Sequence, residues 1–508
     1  MSLAPFPEDA LFIGGRWRRA ESAERVTVVN PATEQVIGRV PDASAADVDA
    51  AVRAARASFD DGGWKERPPH DRAKILLSLA DELAARAGEM SAVITSENGS
   101  PVAETGRAAA HAASILRYTA TMAGDLDAED VRPFPAGGAE TVVRREPVGV
   151  AALIAPWNFP LTLIMVKLAP ALLAGCAVVI KPAPETPYDS ALLAEAADAA
   201  GIPPGIVNVV TGGARTGAAL VAHPDVDKVA FTGSTEAGRA IARTCGELLR
   251  PVTLELGGKS AAVLLPDADL GVFADRLLAT CLRNTGQTCY NTTRVLAPRE
   301  RYAEIVDLIT SVVRAAPLGD PFDPATVFGP VVSARQRGRV EEYLRIGVAE
   351  GAQVTTGGRR ASRFEAGYYL EPTVFAGVHA RMRIAQEEIF GPVLAVLPYD
   401  GEDDAASIAN ATRYGLGGAV FSTDEEHAMR FAERIDTGAV GINFFGSNHA
   451  APFAGRKDSG IGAEFGPEGL AAYLKTQSIH RRTSQPGLGA HVLHEDGHPC
   501  SRRTGSPS

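Results

Sequence analysis

One cysteine, Cys289, stands in the polar, glycine-containing stretch Asn284-Thr285-Gly286-Gln287-Thr288-Cys289-Tyr290. A helix-like run, Leu270 to Leu282, leads into it, and a strand-like run, Arg294 to Ala297, leads out. Thiols kept for packing stand among apolar neighbours, as Cys176 does in Leu173-Ala174-Gly175-Cys176-Ala177-Val178. Cys289 instead follows Gly286, Gln287 and Thr288, whose backbone and side chains can hydrogen-bond a thiolate or its adduct. Only the thiolate attacks carbon efficiently. A free cysteine ionises near ~8.5, so a nucleophile needs a lowered pKa or a neighbouring base. The turn by itself leaves a nucleophile and a buried structural thiol both open.

Other chemically capable residues fall at the ends of strand-like runs. Glu255 lies inside the apolar run Val252-Thr253-Leu254-Glu255-Leu256, where a carboxylate is either a half-buried base or paired with a cation. Asn158, in Pro156-Trp157-Asn158-Phe159-Pro160, offers an amide donor to an oxyanion or a structural turn. Lys181 ends a strand-like run before Pro182, within reach of a ribose or simply of water. Gly233-Ser234-Thr235-Glu236-Ala237-Gly238 opens a helix with small residues and free N–H groups, which makes a phosphate site or a capped helix start. It is not GxGxxG, so no ordinary dinucleotide fingerprint is claimed. Two other motif matches fail on context, and a third motif is absent. Leu256-Gly257-Gly258-Lys259-Ser260 lacks the first glycine of a Walker A loop, His494-Glu495-Asp496-Gly497-His498 carries a glycine and precedes Pro499, and no GxSxG elbow exists.

The elements that must position these groups follow a regular order. Phe12 to Trp17 reads as a strand with a two-glycine turn, paired with Val26 to Pro31. Helical spacing runs from Asp47 to Phe59 behind a Ser44 cap, then from about Asp71 to Ala87 and Thr105 to Met122. Gly124 to Pro135 is acidic and irregular, and Thr141 to Pro147 alternates like a strand, together resembling a hairpin arm. From Gly149, β-branched runs alternate with helices: Val150 to Ala155, Val178 to Lys181, Val207 to Val210, Lys228 to Thr232 and Val252 to Leu256. A second series comprises Ala261 to Leu264, Arg294 to Ala297, Leu394 to Pro398, Gly418 to Ser422 and Gly438 to Asn443. The pattern predicts an α/β fold with two doubly wound parallel sheets and ligands at the strands' C-terminal ends.

Composition narrows the function classes. A chain of 508 residues needs more than one core, and 45% hydrophobic with 22% charged residues is ordinary for a globular protein. The net charge of −11 argues against a nucleic-acid partner, which needs a basic face. Cysteines at 176, 245, 281, 289 and 500 are odd in number and form no CxxC pair, so neither a disulfide framework nor a cysteine-based zinc site is expected. Without a signal-peptide pattern or a long apolar span, a cytoplasmic protein with no membrane partner and no metal is expected. From Gln485 the chain loses apolar periodicity and reads as a loose tail.

Taken together, these motifs resemble the NAD(P)-dependent aldehyde dehydrogenase superfamily, over about Phe12 to Ser478. The resemblance is carried by Pro156-Trp157-Asn158-Phe159-Pro160, Phe231-Thr232-Gly233-Ser234-Thr235, Glu255-Leu256-Gly257-Gly258-Lys259, Gly286-Gln287-Thr288-Cys289 and Glu387-Glu388-Ile389-Phe390-Gly391-Pro392, in family order. It implies a dinucleotide-binding domain of residues 1–124 and 148–257, a catalytic domain of 258–460, and an oligomerisation arm of 125–147 and 473–484 that pairs subunits into a homodimer or homotetramer. It also implies that Cys289 attacks an aldehyde, that the Asn158 amide and the Cys289 N–H hold the oxyanion, and that hydride passes to NAD, with NADP also admitted. Glu255 would then activate the hydrolytic water, and Lys167 and Glu464 would relay protons. Cofactor contacts would come from Ala155, Pro156, Trp157, Lys181, Gly233, Ser234, Leu256, Glu388 and Phe390. The sequence departs from the family at Pro184, where NAD-preferring members often carry a glutamate, at Ala454 in Pro452-Phe453-Ala454-Gly455, and at Arg339.

The aldehyde entrance would be lined by Phe159, Leu163, Val166, Thr288, Tyr290, Phe445 and Phe453, with no arginine or lysine placed to pair with a substrate carboxylate. A hydrophobic aldehyde is therefore expected. Two other classes remain: a thiol acyltransferase or esterase on the same fold, and a silent scaffold. Nucleotide-type loops without a use weigh against the first, and the presence of Cys289, Glu255 and Asn158 weighs against the second.

Overall fold

Apolar β-branched runs covered on both faces make the two sheets of this chain. The computed structural model describes residues 8–483; the predicted tail from Gln485 lies outside the described residues. The first sheet contains β1 (Ala10–Phe12), β2 (Trp17–Arg19), β3 (Val150–Ile154), β4 (Ala177–Lys181), β5 (Val207–Val209), β6 (Lys228–Thr232) and β7 (Val252–Glu255). Its order is β2-β1-β5-β4-β3-β6-β7, with the short strand Gly460–Ile461 at the edge. Strands β3 to β7 are parallel, and the antiparallel partners sit only at the margins.

The second sheet contains β8 (Ala261–Leu264), β9 (Arg294–Pro298), β10 (Gln353–Thr356), β11 (Thr373–Ala376), β12 (Val393–Tyr399), β13 (Gly417–Phe421) and β14 (Ala439–Ile442), in the order β10-β11-β12-β9-β8-β13-β14. Only β10 is antiparallel. Successive residues on a strand face opposite ways. Accordingly Ala261 and Val263 join one apolar cluster, while Ala262 and Leu264 join another on the opposite face. Leu394 and Val396 alternate with Val393, Ala395 and Leu397 in the same manner. The expected α/β architecture with two parallel sheets is present, and residue 257 falls in the connection between them.

Three helices carry site residues: α1 (Pro160–Ala174), α2 (Thr235–Glu247) and α3 (Leu270–Cys281). Proline at the start and Gly175 in the left-handed region at the end bound α1. Farther upstream, Ser44 closes a capping box on the helix Ala45–Asp60, as its sequence predicts.

Local turns overturn the predicted N-terminal pairing. Gly14 and Gly15, at φ 66° and 76°, fold β1 directly onto β2. Arg25–Val29 then pairs with Val36–Pro41 through a turn at Glu34, φ 61°, rather than with the first strand. The helix expected from Thr105 to Met122 is split into Val102–Thr105 and Ala108–Thr121, broken at Gly106. A further helix, Ala87–Asn98, precedes it. The segment read as irregular from Gly124 to Pro135 includes the strand Asp130–Pro133.

The chain divides into two compact units. One runs to Asp127 and resumes over Pro147–Lys475, and it holds both large sheets. The other comprises Ala128–Glu146 and the chain from Thr476. A three-stranded sheet has Ala139–Pro147 at its centre, between Asp130–Pro133 and Leu474–Arg482. Among the described residues, no helix is long and apolar enough to cross a membrane.

Candidate active site

The Cys289 turn is held in a conformation that few sequences tolerate. After α3, Asn284, Thr285 and Gly286 take φ of 52°, 55° and 74° in succession. Only glycine suits the third position, because an added Cβ would stand 2.0 Å from the Gly391 carbonyl oxygen. Side chains tie the turn down. Thr288 Oγ1 and Asn291 Nδ2 donate to the Arg283 carbonyl at 3.1 and 3.0 Å, and Gln287 Oε1 accepts the Val332 N–H at 3.0 Å.

Asn158, from the β3–α1 connection, reaches the same turn. Its Nδ2 donates to the Gln287 carbonyl at 2.9 Å, and its own carbonyl accepts Asn284 Nδ2 at 3.0 Å. One amide hydrogen of this buried side chain is left for another acceptor. Cys176, Cys245 and Cys281 belong to apolar clusters, whereas Cys289 belongs to none and lies on a cavity wall.

Electrostatics separate the resting site from an active one. Burial raises the Cys289 thiol well above its ordinary pKa, and Glu388 and Glu255 add to the effect, so the resting sulfur is protonated. Glu255, at the end of β7, is raised strongly by burial and by the nearby Glu464, with Lys167 opposing. Neither of its carboxylate oxygens closes a hydrogen bond among the described residues, the Gly455 N–H exerting only a weak pull. A carboxylate oriented by so few partners is free to take a proton from water. Behind it, Lys167 Nζ on α1 donates to Glu464 Oε1 and Thr232 Oγ1, both at 2.6 Å, and to the Leu163 carbonyl at 3.1 Å.

The remaining predicted groups gather at the C-terminal ends of the first sheet's strands. Lys181 Nζ donates to the carbonyls of Pro182 and Gly212 at 2.7 and 2.8 Å, and burial lowers it to about 8. Ser234 caps α2, its Oγ accepting the Ala237 N–H at 3.3 Å while its hydroxyl hydrogen stays available. Ala155 and Gly233 bond the neighbouring strand ends through their N–H groups, to Lys181 and Glu255 carbonyls, and the Leu256 N–H goes to Ser459. Pro156 follows Ala155 into the loop of Trp157, whose ring meets Phe390 edge-on at 5.3 Å. Glu388 Oε1 accepts the Gly258 N–H at 3.1 Å, and an added Cβ on Gly257 would run into its carboxylate. Arg339 Nη2 donates to the Glu388 carbonyl at 2.5 Å, so that departure from the family pattern supports the loop.

Cys289, Glu255, Asn158 and Glu464 line one cavity of about 170 Å³. Phe159, Leu163, Val166, Thr288, Tyr290 and Phe453 line it as well, whereas Phe445 stands behind, 4.9 Å from the Tyr290 ring. The sequence singled out no arginine or lysine placed to pair with a substrate carboxylate, yet basic side chains do reach this wall. Arg283, Arg107 and His111 line it, together with Glu104. Arg283 heads the same turn as Cys289, a signal available in the sequence; Glu104 and His111 come from the distant helical layer and carry none.

Residues 17–479 match the model of the aldehyde dehydrogenase family. The chain belongs to this family. This aldehyde dehydrogenase is 48% identical over 471 residues to geranial dehydrogenase of Castellaniella defragrans, covering 92% of this chain and 98% of the relative. A Mycobacterium tuberculosis aldehyde dehydrogenase solved in complex with NAD+ superposes with a TM-score of 0.90 at 45% identity, covering 93% of this chain and 97% of that one. Aldehyde dehydrogenase C of Pseudomonas syringae, a cysteine-to-alanine mutant solved with NAD+ and octanal, gives 0.89 at 40% identity, with 94% and 97% covered.

Proposed function

We propose that this aldehyde dehydrogenase oxidises a hydrophobic aldehyde to its carboxylic acid with NAD+, and tolerates NADP+. The observation that carries the reading is the shared cavity: a cysteine, a carboxylate and an amide donor, distant in sequence, face one small space. The named substrates of its relatives, geranial and octanal, support a hydrophobic chain, as do Phe159, Leu163, Val166 and Phe453 on the wall.

The donor set fits a dinucleotide. Lys181 would hold one ribose, Ser234 and the start of α2 the pyrophosphate, and Glu388 the second ribose, with Phe390 and Trp157 beside the nicotinamide. When bound, NAD+ supplies the hydride acceptor. Pro184 stands where NAD-preferring members often carry a glutamate, and it is followed by Glu185, which with Asp42 acts on Lys181; a weaker repulsion of a 2′-phosphate would follow from the displaced acid.

The chain's own residues perform the rest. The Cys289 thiol loses its proton and its sulfur bonds the aldehyde carbon, while the carbonyl oxygen becomes an oxyanion received by the Asn158 Nδ2–H and the Cys289 N–H. Collapse of this thiohemiacetal with loss of hydride leaves a thioester on Cys289. Glu255 then removes a proton from water as it attacks, which breaks the carbon–sulfur bond and releases the carboxylic acid and the Cys289 thiolate, ready for the next aldehyde. Lys167 and Glu464 offer that proton a route from the buried site.

The same reading assigns 125–147 and 473–484 to subunit pairing, in a dimer or a tetramer. Exposed Val131 and Ile479 on the three-stranded sheet, with Phe134 just beyond its first strand, support it. A reducing, cytoplasmic setting would keep Cys289 free. The function is tested by following NAD+ reduction with a panel of aldehydes. Oxidation of alkyl and aryl aldehydes ahead of succinic semialdehyde is expected, and ester hydrolysis without any cofactor reduction would replace the reading with an acyl-transfer one. A stable monomer on sizing would remove the pairing arm.

A further inference from the structure

Lys259 is 2% exposed, yet its ammonium closes no hydrogen bond and no ion pair among the described residues. A buried cation ordinarily has a carboxylate against it. Glu388 and Glu387 support this one only from a distance, and both are engaged elsewhere. Glu388 holds the Gly258 N–H, and Glu387 accepts from Arg383 and from the Tyr343 hydroxyl. Burial first, then the neighbouring Arg294 charge, brings Lys259 down to about 7, with Arg339 acting in the same direction.

Lys259 lines a cavity of about 10 Å³, room for one small body. The cavity lies where β8, β9 and β13 begin, at Ala261, Arg294 and Gly417. Ser260, 4% exposed, also lines it, and its Oγ has no hydrogen-bond partner. An added Cβ on Gly417 would stand 3.5 Å from that hydroxyl, so the glycine leaves it uncovered. Arg294 is as buried as Lys259 and donates to the carbonyls of Lys259, Ile408 and Ala409, each at 2.8 Å. The last two belong to the C-terminal turn of the helix Gly401–Asn410, whose carbonyls carry a partial negative charge. They meet the guanidinium's charge only in part and leave some of its N–H groups over. No carboxylate lines the cavity.

A water in this space would satisfy hydrogen bonds but leave the charge unanswered, whereas an anion does both. We propose that the cavity is a binding site for a monatomic anion of the chloride class, held by Lys259 Nζ, Ser260 Oγ and the spare N–H groups of Arg294. The site adjoins the chemistry. Lys259 follows Gly258, whose N–H holds Glu388 and where an added Cβ would stand 2.4 Å from the Cys289 carbonyl oxygen. An anion that fixes Lys259 therefore steadies the segment joining Glu388 to the nucleophile's turn.

Crystals of the full chain soaked in sodium bromide, with data collected at the bromine edge, test the site directly. An anomalous peak in contact with Lys259 Nζ and Ser260 Oγ is expected, and it should vanish in Lys259→Met. In solution, chloride should raise the melting temperature saturably above gluconate, an anion too large for the cavity, at equal ionic strength. Ser260→Ala removes only the hydroxyl and serves if the lysine variant fails to fold. It should move the chloride midpoint up about ten-fold, the worth of one hydrogen bond to a charged group. A water without anomalous signal, a peak that survives Lys259→Met, or a Ser260→Ala midpoint equal to wild type would overturn the assignment. A bromide peak without a saturable chloride effect would mark an adventitious ion only, and would overturn it as well. These readouts report binding, so they hold or fail whatever aldehyde the enzyme takes.

Discussion

The Asn158 side-chain amide donates to the Gln287 carbonyl at 2.9 Å, which ties the proposed oxyanion donor to the very turn that carries Cys289. One amide hydrogen is spent on orientation, and the proposal gives the other to the reacting oxygen. Asn158→Ala should lower kcat by roughly 10²- to 10³-fold, the cost of removing one such donor, with a much smaller change in KM. Steady-state kinetics check this. A kcat within a few-fold of wild type would remove Asn158 from the oxyanion site.

Glu255 leads to a pH prediction with a definite sign. Burial and Glu464 raise its pKa above the ordinary carboxylate range, so the base form grows as pH rises through a correspondingly higher window. Acid release should therefore accelerate with pH until Glu255 is ionised. In Glu255→Gln the profile should be flat and turnover slower by about 10²-fold or more, with the first equivalent of NADH still formed. Stopped-flow absorbance separates the burst from the steady rate. An intact pH dependence in the variant would assign the base elsewhere.

The Lys167–Glu464 pair joins two buried side chains, 0% and 7% exposed, at 2.6 Å. Removing one partner strands a charge beside Glu255. Lys167→Met should cost about 3–5 kcal/mol of stability by urea unfolding, and adding Glu464→Leu should recover most of that loss. Equal destabilisation in the single and double variants would show that packing, not charge, sets the effect.

Gly286 tests the turn itself. An alanine there would take an unfavourable φ of 74° and bring its methyl against the Gly391 carbonyl, so the turn must shift. Gly286→Ala is expected to lower stability by roughly 2 kcal/mol or more and to reduce kcat together with it. A thermal melt and an activity assay that both match wild type would contradict this account of the turn.

Much of the architecture was legible because the strands announce themselves. Runs such as Val178 to Lys181 are apolar on both sides and short, as strands covered by helices must be. The helix Ala87–Asn98 escaped because nearly all of it from Met90 onward is buried, so no polar face marks its period. The N-terminal pairing failed for another reason: two tight turns closed each ribbon on itself before a longer-range partner could be reached. At the site, the motif residues were visible through their spacing. Glu104 was not, because its partner Arg283 lies on the far side of the chain and only the packing of two layers joins them. Arg283, which precedes Cys289 in the same turn, adds a charged group to an entrance expected to be mostly apolar or aromatic.

The central claim is a covalent acyl group on Cys289 that awaits water activated by Glu255. Mixing the Glu255→Gln variant with NAD+ and octanal, then quenching for peptide mass analysis, addresses it most directly. One octanoyl group per chain on the Cys289 peptide, formed together with one equivalent of NADH, is the predicted result. NADH appearing with Cys289 unmodified, or the acyl group on another residue, would contradict it.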